Sequence, residues 1–397
     1  MFEGYRVLEL GTWLMVPAAT TVLADFGADV IKIEQPGAGD PVRRSTLAAH
    51  GGANLLLEQV NRGKRSIALD LSRPGGTDIL YQLAAASDVF VTNMLPAPRR
   101  KLRVDVADIR RHNPDIVYVR GSGVGSRGDE ADKQGFDFGV FWARAGFQSA
   151  VSKGSRLDRP VSPRPGFGDR TSAMNLAFGI AAALLRRERT GQTAVVDVSL
   201  LGSGMWSDAS DIAYSMGAGR DFSAQPIARQ PLAGLYETAD GRWLQFNIND
   251  AERWWAEFCR HAGREDLVTD PRFADAKARA EHTAEAVEEL DRLFASEPLE
   301  EWRLRLGPMK AAWEVVQNPY EVASDPQAAA NGYIAEVAHP GGRTVRMIRP
   351  PVQFDDTPPE LGHAPRLGEH TNAILRQLGY GDDDITRWRE DGVVAGE

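Results

Sequence analysis

The first half of the chain alternates short hydrophobic runs with segments whose apolar residues recur at helical spacing. Residues 5–10 (YRVLEL) and 29–34 (DVIKIE) have the apolar character of buried strands. Residues 18–27 (AATTVLADFG), between them, predict a helix that ends at a glycine. The same alternation recurs in five later segments: 65–71, 75–87, 89–92, 106–112 and 115–120. This order predicts an α/β fold, in which helices cover both faces of a parallel sheet.

Three loops follow predicted strands and are therefore expected at one edge of that sheet. They comprise residues 11–17, 93–100 and 121–128. In open parallel sheets, ligands bind beyond the carboxyl ends of the strands. We therefore expect the functional site where these three loops meet.

The pattern changes near residue 200. Residues 200–217 predict a helix, 235–248 predict a hairpin that turns at Asp240–Gly241, and helical segments follow. These elements predict a second, smaller α+β domain over residues 221–330. Strand-like segments then precede a helix near residues 372–379.

Composition and charge narrow the functional classes. The chain has 397 residues, is 43% hydrophobic and carries a net charge of −9, which argues against general nucleic-acid binding. Basic residues nevertheless cluster at Arg43–Arg44, 61–66 and 99–103, and together they are suited to hold a small polyanion. The single cysteine excludes an intramolecular disulfide. The N-terminus lacks the pattern of a signal peptide, and the apolar run at 177–185 is too short to span a bilayer, so we expect a cytoplasmic protein without membrane attachment.

Two familiar kinds of site find no support in the sequence. Gly123, Gly125 and Gly128 match the G-x-G-x-x-G spacing of dinucleotide-binding loops. The acidic residues 129–137 that follow lack the apolar periodicity of a phosphate-binding helix, so we interpret the motif as a flexible loop. The sequence also lacks a paired-cysteine or H-E-x-x-H motif, so no metal site is expected.

Residues 166–175 (GFGDRTSAMN) place a single aspartate, Asp169, between two glycines and a predicted helix. The simplest interpretation is an N-cap, in which the carboxylate accepts hydrogen bonds from the first backbone N–H groups. A second interpretation comes from the surrounding sequence.

Several segments resemble the class III CoA-transferases, a family to which the α-methylacyl-CoA racemases are related. The resemblance extends in order over nearly the whole chain and is carried by four segments: 7–44, NRGKRSIALDL at 61–71, 166–192, and LGEHTNAIL at 367–375. It implies a large Rossmann-like domain (1–220) that residues 331–397 rejoin, so that both chain ends build it. It also implies an interlocked homodimer that takes an acyl-CoA and a carboxylic acid acceptor.

The resemblance assigns the catalytic aspartate to Asp169. A carboxylate with an ordinary pKa of about 3.9 is ionised at neutral pH and can attack a thioester, because a thiol of pKa about 8.5 leaves readily. The bare backbone of Gly166 and Gly168 suits close approach of substrate, and their N–H groups are expected to stabilise an oxyanion.

The resemblance also implies contacts to coenzyme A. These carry over to Val16, Leu69, Asn93, Met94, Lys101 and Leu102, with Arg43 expected to help bind phosphate. Gln35 and Ser72 stand where some members of the family have a basic residue, which leaves individual phosphate contacts open.

Two alternatives to CoA transfer remain. A racemase needs a base on each face of the α-carbon, and in that branch a histidine precedes the aspartate at the position of Asp137. Here Phe136 precedes it, and phenylalanine carries no proton. The other alternative is a non-catalytic acyl-CoA-binding protein.

An aromatic segment bears on the size of the acyl group. Phe138, Phe141 and Trp142 are spaced to share one face if the segment is helical, and Phe136 precedes them. Core packing is the default interpretation. The glycine-rich loop that covers the site in formyl-CoA enzymes has no counterpart in residues 222–234. We therefore expect a bulky, apolar acyl group, with Phe136, Asp137, Phe141 and Trp142 as candidate substrate contacts.

Overall fold

The structure, a computed structural model, describes residues 1–45, 49–50, 53–152, 159–222, 229–340 and 342–397. It divides into two compact units. The larger combines Met1–Gln225 with Pro326–Glu397, and the smaller comprises Pro226–Asp325. The sequence pattern predicted boundaries at 221 and 330 for the smaller unit.

The strands of the described residues are β1 (Arg6–Leu10), β2 (Asp29–Glu34), β3 (Ala49–His50), β4 (Ala53–Asn54), β5 (Arg65–Leu69), β6 (Val89–Thr92), β7 (Val117–Ser122), β8 (Val195–Ser199), β9 (Leu235–Glu237), β10 (Trp243–Phe246), β11 (Trp313–Val315), β12 (Ile334–His339), β13 (Arg343–Ile348) and β14 (Val394–Ala395).

The α-helices are α1 (Met15–Asp25), α2 (Leu55–Asn61), α3 (Pro74–Ala85), α4 (Pro96–Leu102), α5 (Val106–His112), α6 (Phe147–Ser152), α7 (Phe167–Thr190), α8 (Leu200–Ser207), α9 (Ala209–Ala218), α10 (Ala251–His261), α11 (Asp266–Thr269), α12 (Ala276–Glu281), α13 (Thr283–Phe294), α14 (Leu299–Leu306), α15 (Pro319–Val322), α16 (Pro326–Ala330), α17 (Thr371–Gln377) and α18 (Asp382–Glu390). A 3₁₀ turn spans Pro41–Arg44 and a π-helix spans Phe138–Arg144.

The larger unit is built on a seven-stranded sheet in the order β14-β5-β2-β1-β6-β7-β8. All neighbouring strands are parallel except β14, which pairs antiparallel with β5. Because β14 lies at the C-terminus of the chain, both chain ends contribute to this sheet. The predicted α/β fold with a parallel sheet is confirmed.

Side chains alternate between the two faces of the sheet, and each face is buried by helices. Leu8, Ile31 and Phe90 belong to a core shared with α3, α5, α17 and α18, whereas Val7 and Val30 belong to a core shared with α1 and α7. Burial on both faces explains why these strands read as nearly continuous apolar runs.

Two predicted helices differ in detail from those observed. α1 begins at Met15 rather than at residue 18, because Pro17 is tolerated in a first turn whose N–H groups have no intrahelical acceptor. Residues 200–217 form two helices, α8 and α9, which are separated at Asp208.

The smaller unit packs helices against a three-stranded antiparallel sheet, β11-β10-β9. β9 and β10 form the predicted hairpin, and Gly241 adopts a φ of 73° in its turn. The core contains Phe246, Phe258 and Trp302, and Cys259 is buried among them. Across the described parts of both units, no helix is long and apolar enough to cross a membrane.

Candidate active site

A cavity of about 430 Å³ lies at the carboxyl edge of the seven-stranded sheet. Its lining includes residues from the loops after β1, β6 and β7, from the segment before the π-helix, and from the first turn of α7: Thr12, Trp13, Asn93, Met94, Gly123, Phe136, Asp137 and Asp169. The three loops that the strand pattern predicted to meet therefore do so. This placement follows from parallel strands, whose carboxyl ends share one edge.

The first turn of α7 is capped by Asp137, which lies about thirty residues earlier in the chain. The backbone N–H of Gly166 donates to Asp137 Oδ2 at 2.8 Å, and the N–H of Gly168 donates to Oδ1 at 3.1 Å. The N-cap residue itself is Gly166, and Asp169 is the third residue of the helix. The interpretation of Asp169 as an N-cap is therefore wrong, because another carboxylate holds those donors.

Both glycines are required by this close approach. Gly166 has a φ of 85°, which favours glycine. A Cβ on Gly168 would lie 2.3 Å from Asp137 Oδ1 and 2.3 Å from Phe141 Cγ, far inside van der Waals contact. Because both N–H groups already donate to Asp137, neither has the free donor that the expected oxyanion role requires. Their observed function is to seat Asp137 against the start of the helix.

The Asp169 carboxyl group is half-buried and electrostatically strained. Burial raises its pKa to about 7, and the negative charge of Asp137 adds to the shift, whereas Arg170 opposes it. The sequence argument assumed the ordinary pKa of an aspartate, so it placed the pH at which Asp169 ionises too low. Burial also raises the pKa of Asp137, although the N–H donors of Gly166 and Gly168 oppose that shift.

A buried ionic network lies beneath the loop after β1. Lys32 Nζ lies 2.6 Å from Glu9 Oε1 and 2.9 Å from Asp40 Oδ2, and Lys64 Nζ lies 2.7 Å from Glu9 Oε2. These side chains are fully buried. Burial acts to raise the pKa of Glu9, but the two ammonium groups outweigh it and hold that pKa at about 2.

The same network fixes the backbone of the loop. Lys32 Nζ donates to the carbonyl of Gly11 at 2.9 Å, and Lys64 Nζ donates to the carbonyl of Pro17 at 2.8 Å. The sequence analysis missed this network. Its signal was available, because Glu9 and Lys32 interrupt two apolar strands and are direct partners in the register of β1 and β2.

Of the residues expected to contact CoA, Asn93 and Met94 line the cavity. The Asn93 side chain bridges to the first loop, since its Oδ1 accepts from the Thr12 N–H at 3.0 Å and its Nδ2 donates to the Thr12 carbonyl at 2.7 Å. Lys101 and Leu102 lie at the end of α4 and outside the cavity lining, and Lys101 is exposed.

Val16 and Leu69 have buried side chains. Val16 fills the space beside two glycines, since a Cβ on Gly11 or Gly121 would lie 2.4 or 2.9 Å from its methyl groups. Leu69 ends β5 and packs in the core of one sheet face. Neither residue is among those that line the cavity.

Arg43 does not present a free guanidinium. Its Nε and Nη2 donate to the two oxygens of Glu34 at 2.7 and 2.6 Å, and its Nη1 donates to the carbonyl of Pro365 at 3.0 Å. Arg99, from the basic cluster at 99–103, lines the cavity, although it was not among the individual residues expected to contact CoA. It donates to the carbonyl of Met94 at 2.9 Å, its Nε lies 3.3 Å from Asp105 Oδ1, and its side chain is buried.

The aromatic residues divide between the cavity and the core. Residues 138–144 form a π-helix, so the expectation that Phe138, Phe141 and Trp142 share one face is wrong: Phe138 is 46% exposed whereas Phe141 is buried. Phe136 and Phe138 line the cavity. Phe141 and Trp142 pack with Phe147 and Phe167, with ring centroids 4.9 to 6.2 Å apart.

Two kinds of group that other enzymes use, histidines and metal ligands, were sought in the described residues. No histidine is among the described residues that line the cavity. The described chain also holds no cluster of three or more metal-ligating side chains. Residues 223–228, part of the segment compared with a glycine-rich loop, lie outside the described residues.

Comparisons with known proteins relate the whole chain to one family. The model of the family described as CoA-transferase family III matches residues 2–371. The (R)-2-hydroxy-4-methylpentanoate CoA-transferase of Clostridioides difficile is 29% identical over 404 residues, covering 99% of each chain. The cinnamoyl-CoA:phenyllactate CoA-transferase of Clostridium sporogenes is 30% identical, covering 98% of this chain and 96% of the relative. A crystal structure of a CAIB/BAIF family protein from Brucella suis superimposes with a TM-score of 0.82 at 26% identity, covering 95% and 99% of the two chains.

The fit between Gly168 and Asp137 predicts the effect of one methyl group. The added methyl group of Gly168→Ala would push Asp137 and Phe141 away from the start of α7. We therefore expect the variant to lower the free energy of unfolding by about 1–3 kcal/mol. Thermal unfolding followed by circular dichroism measures the change. Gly139→Ala is the matched control, because a Cβ there meets nothing within 4 Å although the residue lies in the adjacent π-helix. Equal stability of the two variants would contradict the packing argument.

The negative charge of Asp137 contributes to the raised pKa of Asp169, and this contribution can be tested. Asp137→Asn removes a negative charge beside Asp169, so the pKa of Asp169 should fall below its wild-type value of about 7. Carboxyl ¹³C NMR titration measures that pKa directly. Asp129→Asn, an exposed change in the preceding loop, should leave it unmoved. An unchanged Asp169 titration in Asp137→Asn would show that the two carboxylates do not interact.

Proposed function

We propose that this protein, which belongs to CoA-transferase family III, moves CoA from an acyl-CoA to a free carboxylic acid through covalent intermediates on Asp169. The observation that carries the proposal is the Asp169 carboxyl group, which reaches the cavity from the first turn of α7. Family membership establishes a CoA-transferase, and the route through Asp169 is the proposal.

The reaction has four balanced steps. The Asp169 carboxylate attacks the thioester carbonyl and expels CoA thiolate, which gives a mixed anhydride. The thiolate attacks the aspartyl carbonyl of that anhydride, releases the first acid and forms an aspartyl-CoA thioester. The acceptor carboxylate then attacks this thioester and again expels thiolate. The thiolate attacks the acceptor carbonyl of the second anhydride, which releases the new acyl-CoA and restores Asp169.

The surroundings of Asp169 suit this sequence of steps. A half-buried carboxylate with a raised pKa is poorly solvated, so less water has to leave before it attacks. Exclusion of water also protects both anhydrides from hydrolysis. Asp137 and the two glycines position the helix that carries the nucleophile, which replaces the oxyanion role expected for Gly166 and Gly168.

The proposed CoA contacts follow the edge of the sheet. They are Val16, Leu69, Asn93, Met94, Lys101 and Leu102, as the family resemblance implies, and of these Asn93 and Met94 line the cavity. Arg43 is omitted, because its guanidinium is bound to Glu34. The interlocked homodimer and the cytoplasmic location predicted from the sequence remain part of this proposal, and neither changes the chemistry of Asp169.

The acyl group is proposed to be bulky and apolar. The names of relatives include both bulky acids, such as phenyllactate and 2-hydroxy-4-methylpentanoate, and the small acid oxalate, so kinship alone does not decide. The cavity favours the former, because the half-exposed rings of Phe136 and Phe138 line it. Apolar contact area contributes about 25 cal/mol per Å² that is removed from water.

The first test concerns the intermediate. Mixing the protein with an acyl-CoA and hydroxylamine should yield a hydroxamate at Asp169, which peptide mass spectrometry localises. Asp169→Asn should lower the transfer rate by at least about 1,000-fold, because the nucleophile is removed. The wild-type rate should rise with pH up to about 7 and then level, since only the ionised carboxylate attacks.

Asp129→Asn is the control for this test, because it removes an exposed carboxylate outside the cavity lining. Transfer at the wild-type rate by Asp169→Asn would overturn the mechanism. Loss of transfer in both variants would point to a general effect of charge.

The second test concerns the acyl group. In a panel of donors of increasing size, kcat/KM should rise with the apolar area of the acyl chain, because the cavity offers aromatic contacts. CoA exchange into a matching panel of acids is followed by mass spectrometry. A preference for oxalyl- or formyl-CoA would overturn the proposed substrate class.

The same panel separates CoA transfer from racemisation. With a 2-methylacyl-CoA in deuterated water, the protein should not exchange the α-proton, because Phe136 supplies no base where racemases have a histidine. Rapid deuterium incorporation without CoA transfer would favour the racemase. Acyl-CoA binding without either reaction would favour a non-catalytic binding protein.

A further inference from the structure

Trp13 adopts a backbone conformation that bulky residues rarely occupy. Its φ is 67°, in the left-handed region, where the Cβ of an L-residue crowds its own backbone. The other described non-glycine residues with positive φ are Arg103, Asp355 and Asp356, and none of them lines the cavity. Residues held in such conformations cluster at functional sites, where the surrounding structure imposes them.

Hydrogen bonds on Trp13 and on the residue before it hold this conformation. The Trp13 N–H donates to Asp40 Oδ1 at 3.1 Å, and the other oxygen of Asp40 lies 2.9 Å from Lys32 Nζ in the buried ionic network. On the preceding residue, both the N–H and the carbonyl of Thr12 are bound by the Asn93 side chain. The loop therefore cannot relax without breaking its hydrogen bonds to Asp40 and Asn93.

The result of this constraint is an aromatic ring presented to the cavity. The Trp13 side chain is 44% exposed and lines the same cavity as Asp169. It meets Phe136, which is 50% exposed, edge to face with ring centroids 6.1 Å apart and an interplanar angle of 86°. Each ring keeps an open surface, so the pair offers apolar area that packing within the chain does not use.

We propose that Trp13 is a specificity-determining residue, which with Phe136 forms an aromatic wall that selects acyl groups carrying a flat or branched apolar body. This inference rests on the proposed function of the cavity, and it adds the residue that contacts the acyl group and selects its shape. Trp13 was absent from the sequence-derived candidates because the strain that marks it is a backbone property. The strained backbone lies at the cavity itself, where Leu14 and Met15, the next two residues, also form part of the lining.

The experiment compares two donors, 3-phenylpropanoyl-CoA and propanoyl-CoA, with Trp13→Gly, Trp13→Ala and Trp13→Phe. In the wild-type enzyme kcat/KM should favour the phenyl donor. The ratio should fall by about tenfold or more in the Gly and Ala variants, because the wall loses one ring, and Trp13→Phe should retain most of it. The ratio of the two donors is the readout, because any effect of a substitution that is common to both donors cancels in it.

Thermal unfolding of the same variants tests the strain. At a relaxed position, alanine is as stabilising as glycine or more so, because glycine gains conformational freedom in the unfolded chain. At a φ of 67° the order should reverse, so Trp13→Gly should unfold at a higher temperature than Trp13→Ala. Tyr320→Ala removes an exposed ring in the smaller unit and should leave the donor ratio unchanged.

The outcomes separate this inference from the proposed function. A wild-type protein that transfers CoA but keeps its donor ratio in Trp13→Gly and Trp13→Ala would overturn the role of Trp13 alone. Greater stability of Trp13→Ala than of Trp13→Gly would likewise overturn it, because the ring would not be held by a strained backbone. Failure of the wild-type protein to transfer CoA from either donor would instead count against the proposed substrate class and mechanism.

Discussion

The Glu9 carboxylate, shared between the ammonium groups of Lys32 and Lys64, is the interaction on which the candidate site depends. A charge at the centre of an apolar sheet is costly unless it is paired and hydrogen-bonded, and removal of one partner would leave an uncompensated buried charge. Here the cost is offset by contacts that also reach the loop after β1, through the carbonyl of Gly11, and the first turn of α1, through the carbonyl of Pro17. One buried network thus connects two neighbouring strands to a loop that lines the cavity.

A second constraint divides the roles of two carboxylates. Asp137 accepts hydrogen bonds from the N–H groups at the start of α7, whereas Asp169, the residue directly after Gly168, is buried and repelled by the charge of Asp137. Environment rather than residue type therefore distinguishes a structural aspartate from the proposed nucleophile. The division also explains why glycine is needed at Gly168, since any Cβ there would displace the carboxylate that caps the helix.

The strands and their order along the chain were predictable because burial on both faces leaves a strong apolar pattern, and β2 was predicted with its observed bounds. The site was predictable only in part. Asp169 stands in a recognisable segment, but its cap comes from Asp137, and no local pattern links positions so far apart. The π-helix was not predicted because its aromatic residues have the spacing expected of an α-helix. The ion pair of Arg43 with Glu34 was not predicted because a cluster of basic residues does not show which carboxylates lie near it in the fold. Long-range contacts, rather than propensities, account for these differences.

The site therefore combines two kinds of geometry with different tolerance to change. Around Asp169, backbone N–H groups, glycines and a buried carboxylate fit within van der Waals limits, so a single methyl group is expected to disturb them. At Trp13 and Phe136, half-exposed rings border open space, where a side chain can change size without displacing the backbone. Under the proposed function, substitutions at the second pair would alter the acyl group that fits while the first set keeps the chemistry. Such a division would separate the choice of acid from the transfer of CoA, and relatives are named for acids as different as oxalate and phenyllactate.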